Sequence, residues 1–362
     1  MTGSGGLAGV NFVRALRASK RDYYVAGTDF NKYHIVYPDV DARYLTPRHT
    51  DRSFVPRISS IVKEEKIDFL HPQPSSEAVV ITANRKKIGC RVFLPGRRVM
   101  ELGQDKLLSQ QVLARKKVPV AKTKAVASVK DLKEAFSELS LDLSPEPGSP
   151  LWVRARHGAG GRLSLLCSSY KEAQHWVELW VLKGSPVDEF IIQEYLPGRN
   201  IAWDSLWRDG ELVTSYARER LEYPFKHNSP SGITGTPSVA RIVHDDRLNE
   251  VAQAAVKAID PRPQGAYSID AKESSTGEMC VTEVDSGKFH STMPLWGYIA
   301  VRHLKQPWYA NLADLYVRLG MGDETPASIP RTDLLPEGYY LLRDMDVGAF
   351  LWREDGWKER VL

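Results

Sequence analysis

Short apolar runs alternate with amphipathic stretches over the first hundred residues. The runs "YYVAGTDF", "DFLHPQP" and "CRVFLPG" have the length and the aromatic or β-branched content of strands. The stretches "GVNFVRALRAS", "SFVPRISSIVKEEKI" and "SEAVVITANRKKIG" repeat their apolar positions at helical spacing. Because strands alternate with helices, the pattern predicts a parallel, doubly wound α/β domain over residues 1–105.

The pattern changes in the second half of the chain. From Phe190 onward, strand-like runs such as "EFIIQEYL", "GAYSIDAKES" and "GEMCVTEVD" follow one another, and the amphipathic helix "RLNEVAQAAVKAI" interrupts them. Successive strands joined by turns are typical of antiparallel sheets. We therefore expect an α+β region after the first domain.

A glycine-rich loop at residues 3–9, "GSGGLAG", precedes the first predicted helix. Such a loop can open a dinucleotide site, with Asp29 as the acid about twenty residues further on. Its small residues can equally serve only to let a helix pack close to a strand. The strand expected before the loop is missing from the pattern, which favours a natural start upstream of Met1.

A second glycine-rich loop, "HGAGGR" at residues 157–162, lies between two strand-like runs. This position excludes both the Rossmann and the P-loop arrangement, in which a helix follows the loop. Backbone N–H groups of small residues can surround phosphate oxygens. Arg154 and Arg156 precede the loop and point to one face, because side chains alternate along a strand. The alternative is a flexible surface hairpin with exposed arginines.

An acidic hairpin lies between the runs "AYSIDAKE" and "MCVTEVD". If its turn is centred between the Thr and Gly of "SSTGE", Asp270 lies opposite Glu283, and Asp285 follows on the same face. Crowded carboxylates repel one another, and a hard cation such as Mg²⁺ would remove that repulsion. The competing interpretation is a solvent-exposed face that Lys272 or Lys288 neutralises.

Composition narrows the picture only slightly. The chain has 362 residues, of which 26% are charged, and a net charge of +4, which suits a globular protein of two or three domains. It has no apolar run of about 18 residues and no basic stripe interleaved with aromatics, so we expect neither membrane nor nucleic-acid binding. Cys90, Cys167 and Cys280 show no ligand-like spacing, which predicts a reduced, cytoplasmic setting.

Five segments, in this order, resemble the ATP-grasp superfamily, in particular the carboxylate–amine ligases related to the large subunit of carbamoyl phosphate synthetase. They are "GQDK" with "VPVAKT", "PLWVRARHGAGGRLS", "FIIQEYLPGRNIAWD", "GITGTPS" and "VTEVDSGKFHSTMPL". The resemblance implies a doubly wound pre-ATP-grasp domain at 1–105, followed by a two-lobed ATP-grasp α+β fold. Its lobes would be a lid subdomain at 106–189 and a C-terminal subdomain with the metal site at 190–362.

The resemblance also implies roles for individual residues. The residues implied to contact ATP are Lys106, Arg154, Gly158, Ala159, Gly160, Gly161, Glu194, Tyr195, Leu196 and Asn200. Lys106 and Arg154 would contact phosphates, the four small residues would form the lid, and Glu194 would receive the adenine amino group. The implied ligands of Mg²⁺, or of Mn²⁺ in its place, are Asp270, Glu283 and Asp285. The implied catalytic cations are Arg154, Lys288, Arg218 and Arg220.

Three positions depart from the family's pattern. Asn200 stands where a ribose-binding Glu is usual, and the loss of a charge-assisted hydrogen bond would weaken ATP binding by about 1 kcal/mol. The metal strand usually reads Glu-x-Asn, whereas Asp285 stands at the Asn position. An Arg usually follows two residues later; Gly287 occupies that place, and Lys288 is the candidate substitute.

The function implied is an ATP- and Mg²⁺-dependent ligase that converts a small-molecule carboxylate into an acyl phosphate and condenses it with an amine. A homodimer is an expected assembly. One alternative keeps the fold and activates bicarbonate, as carboxylases and carbamoyl phosphate-type enzymes do. The other is a non-catalytic ATP-binding protein, which Asn200 and Gly287 favour.

Overall fold

The computed structural model describes residues 1–143, 150–158 and 160–362. The helices are α1 Leu7–Arg17, α2 Phe54–Glu64, α3 Ser75–Ala83, α4 Arg85–Ile88, α5 Arg97–Gln104, α6 Lys106–Arg115, α7 Val129–Leu143, α8 Tyr170–Leu182, α9 Asp246–Ile259, α10 Met293–Arg302 and α11 Leu312–Met321. The strands are β1 Ala26–Asp29, β2 Ala42–Leu45, β3 Thr123–Ala125, β4 Leu151–Ala155, β5 Leu165–Cys167, β6 Phe190–Glu194, β7 Asn200–Arg208, β8 Glu211–Glu222, β9 Val239–Val243, β10 Gly265–Glu273, β11 Met279–Ser286, β12 Tyr340–Asp344, β13 Gly348–Trp352 and β14 Lys358–Arg360. Within these ranges, no helix is both long enough and apolar enough to cross a bilayer.

Parallel pairing organises the first hundred residues, as the sequence predicts. β1 pairs with β2 in parallel. Thr2 makes parallel bridges to Thr28 on one side and to Pro72 on the other, and Phe69 makes one to Arg91. The strand position that the apolar pattern lacked before the glycine loop is therefore present at the single residue Thr2, which bridges both neighbours. It is too short to produce an apolar run, which is why the sequence did not reveal it.

The N-terminal glycine loop is held from within its own domain. The backbone N–H groups of Gly5 and Asn31 donate to the two carboxylate oxygens of Asp29 at 3.1 and 2.9 Å. A Cβ on Gly9 would lie 2.4 Å from the carbonyl oxygen of Gly3. Buried Asp29 thus anchors the loop. The close approach supports the packing interpretation of these glycines.

Two antiparallel sheets form the two-lobed α+β fold that the sequence implied. The smaller sheet has the strand order β3-β6-β4-β5, and the larger has β11-β10-β7-β8-β9-β12-β13-β14. α7 and α8 pack on the smaller sheet, and α6 and α9 pack against β11 of the larger. Because β6 lies in the smaller sheet, a subdomain boundary between residues 189 and 190 would divide that sheet. The domain limits themselves stay a prediction.

The N-terminal domain is fixed against one end of the larger sheet. Helix α1 packs on α10 and α11, and the apolar core they share includes Phe12, Trp296 and Tyr316. Just beyond β11, the chain is tied to the same domain by hydrogen bonds at both ends of a short segment, residues 289–291. The amide of Gln73 donates to the Phe289 carbonyl at 2.7 Å, and the amide of Asn11 donates to the Ser291 carbonyl at 3.0 Å. These contacts bring the glycine loop beside the acidic hairpin.

Candidate nucleotide and substrate site

A cavity of about 510 Å³ lies where the N-terminal domain and the two sheets meet. Most of the site residues implied by the sequence line it: Arg154, Gly160, Gly161, Glu194, Tyr195, Leu196, Asn200, Arg218, Arg220, Asp270, Glu283, Asp285 and Lys288. Gly158 and Lys106 lie next to this lining and contact each other, because Lys106 Nζ donates to the Gly158 carbonyl oxygen at 2.5 Å. Ala159 lies outside the described residues.

The acidic hairpin has the cross-strand pair that the sequence predicts. Asp270 on β10 is the register partner of Glu283 on β11, and Asp285 lies two residues further along. A bulge lies between Asp270 and Ala271, so that Thr282 is the extra residue on β11. The turn centre assumed from the sequence was therefore half a residue off, and the bulge restores the pair.

Each of the three acids predicted to bind metal is already paired with a cation. Asp270 accepts from Arg220 at 2.6 Å, Lys288 Nζ lies 3.1 Å from an Asp285 oxygen, and Glu283 is ion-paired with Arg154. Over the described ranges, no three His, Cys, Asp or Glu side chains form a group that could hold a metal by themselves. The predicted three-carboxylate cluster is thus not a preformed metal cage.

The competing interpretation, a solvent-exposed acidic face neutralised by a lysine, is correct only for one of the two lysines. Lys288 pairs with Asp285, but Lys272 lies over the ring of Tyr195, at 5.4 Å from its centroid. The face is also turned to the cavity rather than to open solvent. Lys288, which stands one residue past the usual Arg position, is therefore part of the site itself.

The buried charges of the hairpin keep their ionised forms. Burial opposes the ionisation of Asp270, but Arg220 and His290 outweigh it and hold its pKa below the usual range. Burial acts likewise on Asp285, and Lys288 and His290 lower its pKa in spite of it. Burial opposes the charge on Lys288 too, yet Asp285 raises its pKa. Asp270, Asp285 and Lys288 are therefore charged at neutral pH, and the lysine compensates its neighbouring carboxylate.

Lys106 is placed by a helix cap that the "GQDK" segment encodes. Asp105 caps α6 by accepting a hydrogen bond from the Leu108 N–H at 3.1 Å. The guanidinium of Arg156 binds both oxygens of Asp105, at 2.8 and 2.5 Å. Lys106 is thereby held, 5% exposed, with its ammonium 3.9 Å from a Glu283 oxygen. Burial lowers its pKa.

One end of the cavity is flat and largely apolar. The rings of Trp152 and Tyr195 stack with centroids 6.4 Å apart, and Leu196 is buried nearby. Glu194 ends β6 beside them, and one of its oxygens accepts from the Lys122 N–H at 3.2 Å. This combination of apolar faces and a polar edge suits a planar heterocycle.

A fully buried ion pair at the site was not predicted from the sequence. Asp204 and Arg218 are 0% and 1% exposed and form an ion pair across β7 and β8. Asp204 also accepts from Ser268 at 2.7 Å and lies 3.1 Å from a ring nitrogen of His290. Burial lowers the pKa of Arg218 to about 9. The available signal was an acid inside an apolar strand, "NIAWDSLW", where only a paired carboxylate is tolerated.

Gly287 explains the departure at the usual Arg position. Its φ is +75°, and a Cβ there would lie 2.8 Å from the terminal methyl of Met100. Its N–H donates to the Ala266 carbonyl at 2.8 Å, which fixes the turn after β11. A long side chain does not suit this place, and Lys288 brings its charge into the cavity instead.

The glycine-rich lid contacts a loop of the larger lobe. Gly158, Gly160 and Gly161 all have positive φ, between +73° and +94°. A Cβ on Gly161 would lie 2.7 Å from the Ile233 carbonyl oxygen, whereas one on Gly160 would meet nothing within 4 Å among the described residues. The lid therefore touches the "GITGTPS" segment through a glycine that no other residue can replace without movement.

A model of the RimK-like ATP-grasp domain matches residues 103–288, just over half of the chain. The chain belongs to the RimK-like ATP-grasp family. The matched range includes the lid, the β6 edge and the acidic hairpin, and the resemblance read from the sequence is thus confirmed at the level of the superfamily.

Relatives of this RimK-like chain are similar to it over about half of its length. It is 25% identical over 184 residues to a probable alpha-L-glutamate ligase of Aeromonas salmonicida (strain A449), a match that covers 51% of this chain and 56% of the relative. A protein with the same description from Cellvibrio japonicus (strain Ueda107) is 26% identical over 184 residues, 51% of this chain and 55% of its own length. The chain spans little more than half the length of these curated relatives.

Solved structures resemble the RimK-like chain over nearly all its length. An N5-carboxyaminoimidazole synthetase of Staphylococcus aureus complexed with ADP has a TM-score of 0.66 at 16% identity, over 94% of this chain and 80% of the other. An L-amino acid ligase of Bacillus licheniformis has a TM-score of 0.63 at 12% identity, over 92% and 75%. At these identities the likeness establishes the fold, including the N-terminal domain that the family model does not reach.

Proposed function

We propose that the protein is an ATP- and Mg²⁺-dependent ligase that activates a carboxylate as its acyl phosphate and joins it to an amine. The observation that carries this proposal is the pairing of Asp270 with Glu283 in a cavity that also holds Arg154 and the glycine lid. Family membership and the names of the relatives support it.

ATP is proposed to lie along the cavity from the Tyr195 end to the acidic hairpin. Glu194 would accept the adenine amino group, with the backbone of Tyr195 and Leu196 alongside. Lys106 and Arg154 would bind phosphates beneath the lid. Asn200 lines the same cavity and donates to the Tyr223 hydroxyl at 3.1 Å, so Tyr223 is a further polar group within reach of a ribose.

The residues present fit Mg²⁺ as a partner of bound nucleotide. Mg²⁺ prefers carboxylate oxygens and usually takes one or two of them together with substrate phosphates. Asp270, Glu283 and Asp285 offer only oxygen donors, and their present partners are cations that phosphates attract strongly. When bound, the ion would neutralise charge on the phosphate oxygens. We propose these three acids as its ligands; Mn²⁺ has similar ligand preferences.

The chain's own residues would supply orientation and charge. Arg154, Lys106 and Lys288 offset the negative charge that develops on the transferred phosphoryl group. Arg218 and Arg220 orient the substrate carboxylate toward it. The lid excludes water that would hydrolyse the acyl phosphate before the amine arrives.

The test is phosphate release from MgATP with a library of carboxylate and amine pairs. L-Glutamate is the first substrate to include, because the relatives bear its name. Release that needs both partners and yields an amide is the expected result. Release that needs bicarbonate would favour the carboxylase alternative, and nucleotide binding without turnover would favour a non-catalytic protein.

Replacing Gly161 with Ala is expected to weaken MgATP binding at least tenfold. Alanine would have to adopt the positive φ of Gly161, and its methyl group would clash with the Ile233 carbonyl oxygen. Gly160→Ala is the matched control, because Gly160 has a similar φ of +75° and no neighbour within 4 Å of its Cβ position in the described part of the chain. It reports the cost of a non-glycine residue at positive φ alone, about 1 kcal/mol, or roughly fivefold in affinity. Calorimetric titration measures both. Equal effects of the two variants would show that the lid does not close on the Ile233 loop.

A further inference from the structure

Lys272 is a cation of the cavity to which the proposed function gives no role. Five lysine and arginine side chains line the cavity. Four of them are ion-paired: Arg154 with Glu283, Arg218 with Asp204, Arg220 with Asp270 and Lys288 with Asp285. The ammonium of Lys272 is the exception, because over the described ranges it has neither an ion pair nor a hydrogen bond. A partly buried cation without a counter-charge favours a ligand that accepts hydrogen bonds from it.

The acids next to Lys272 along β10 are paired with other cations. Glu273 follows it and points to the opposite face of the strand, where its carboxylate accepts from the guanidinium of Arg199 at 2.7 and 3.0 Å. Asp270 lies on the same face as Lys272 but accepts from Arg220 at 2.6 Å. The charge of Lys272 is therefore left for whatever enters the cavity.

Lys272 lies between the two ends of the proposed nucleotide position. Its Nζ is 5.4 Å from the centroid of the Tyr195 ring, at the end proposed for the base. Asp270, at the end proposed for the metal and the phosphates, is two residues away on β10, about 7 Å along the strand. The part of a nucleotide that joins the base to the phosphates is the sugar. A nucleotide in this position would thus bring its ribose beside Lys272.

The cross-strand neighbour of Lys272 is Asn200, one of the departures from the family's pattern. Lys272 on β10 and Asn200 on β7 are register partners, and both line the cavity. Side chains of directly opposed residues share a face, with Cβ atoms about 5 Å apart. A Glu at position 200 would lie within reach of the ammonium and pair with it. Asn200 is neutral and donates to the Tyr223 hydroxyl at 3.1 Å, so it leaves the charge of Lys272 available.

We propose that Lys272 is a specificity residue for the nucleotide, whose ammonium donates hydrogen bonds to the 2′- and 3′-hydroxyl oxygens of the ribose. The proposal rests on the ligase function above and names a contact of its nucleotide substrate. It reverses the polarity of the usual contact, since a Glu accepts from these hydroxyls and an ammonium donates to them. A charged donor strengthens such a hydrogen bond, and Lys272 would thereby offset the loss expected from Asn200.

The decisive variant is Lys272→Met, which removes the ammonium and keeps an unbranched apolar side chain beside Tyr195. Lys272→Arg is the conservative variant, because it keeps both the charge and the donors. The matched control is Lys358→Met. Lys358 is an exposed lysine on β14, a strand of the same eight-stranded sheet, and it does not line the cavity.

Binding of ATP and of 2′,3′-dideoxy-ATP is measured by calorimetry on the full chain with Mg²⁺ and without carboxylate or amine. The ratio of the two affinities reports what the hydroxyls contribute. We expect Lys272→Met to lower this ratio about tenfold, the effect of losing one charge-assisted hydrogen bond. Its affinity for the dideoxy nucleotide is expected to stay within twofold of the unsubstituted protein, which also shows an intact site. Lys272→Arg is expected to keep the ratio within threefold, and Lys358→Met to leave it unchanged.

An unchanged ratio in Lys272→Met overturns the inference, whether both affinities fall together or neither falls. In the first case Lys272 contacts the base or the phosphates, and in the second it contacts no part of the nucleotide. These results are separable from failure of the ligase proposal. If the ratio falls but no carboxylate and amine pair gives turnover, the sugar contact stands and the ligase does not. If turnover is found and the ratio holds, the ligase stands alone, and a protein that binds neither nucleotide refutes both.

Discussion

Replacing Glu283 with Gln is expected to lower the rate of MgATP-dependent phosphate release by about 100- to 1,000-fold. Glu283 contacts two of the cations of the site, because Arg154 pairs with one of its oxygens and Lys106 lies 3.9 Å from the other. Gln keeps the shape of the side chain and removes the charge. It would therefore lose metal affinity and release two cations from their counter-charge, with little change in packing.

The control for this variant is Glu278→Gln, an exposed position on the turn of the same hairpin. It removes the same charge from the same element without facing the cavity, and its activity is expected to stay within twofold of the unsubstituted protein. Phosphate release is measured over a range of Mg²⁺ concentrations, because partial recovery at high Mg²⁺ would locate the defect in metal binding. Retention of more than a tenth of the activity by Glu283→Gln would refute the metal role.

The second large effect is on stability, at the buried pair of Asp204 and Arg218. Asp204→Leu and Arg218→Met are each expected to lower the free energy of unfolding by about 3–5 kcal/mol, because each leaves one charge buried without its partner. The double variant removes both charges and is expected to recover most of that loss. Urea unfolding of the four proteins gives the comparison as a double-mutant cycle.

Activity measurements separate the role of this pair in stability from the role of Arg218 as a cation in the cavity. The double variant is expected to be folded and still inactive, because the cation that faces the cavity is gone. Arg97→Ala is the matched control, since Arg97 forms an exposed ion pair with Glu101 at 2.7 Å. Such a pair contributes less than about 1 kcal/mol to the free energy of unfolding. Single variants at Asp204 and Arg218 that cost no more than Arg97→Ala would contradict the stabilising role.

The sequence predicts best where local patterns decide the structure. The opposition of Asp270 and Glu283 follows from strand alternation and turn length, and a bulge at Thr282 was needed to make it hold. The glycine loop between two strands, β4 and β5, is likewise local. In contrast, Asp204 meets Arg218 only because β7 pairs with β8 in one particular register. Such contacts depend on tertiary pairing, which periodicity does not specify.

The N-terminal glycine loop is a second feature whose role the sequence alone could not determine. Its composition allowed a dinucleotide site or simple packing, and sequence spacing could not separate them. The contacts of Asp29 with Gly5 and Asn31 favour packing. The loop nevertheless lines the cavity, because α1 is docked on α10 and α11.

The hydrogen bonds from Gln73 and Asn11 to residues 289–291 constrain how ligands can enter. They join the N-terminal domain to the end of β11, so that domain cannot swing outward without dragging the acidic hairpin along. We therefore expect an opening that admits a nucleotide to come from movement of the smaller sheet relative to the larger one. Phosphoryl transfer would then begin when the smaller sheet closes, and the rate of that closure would limit turnover.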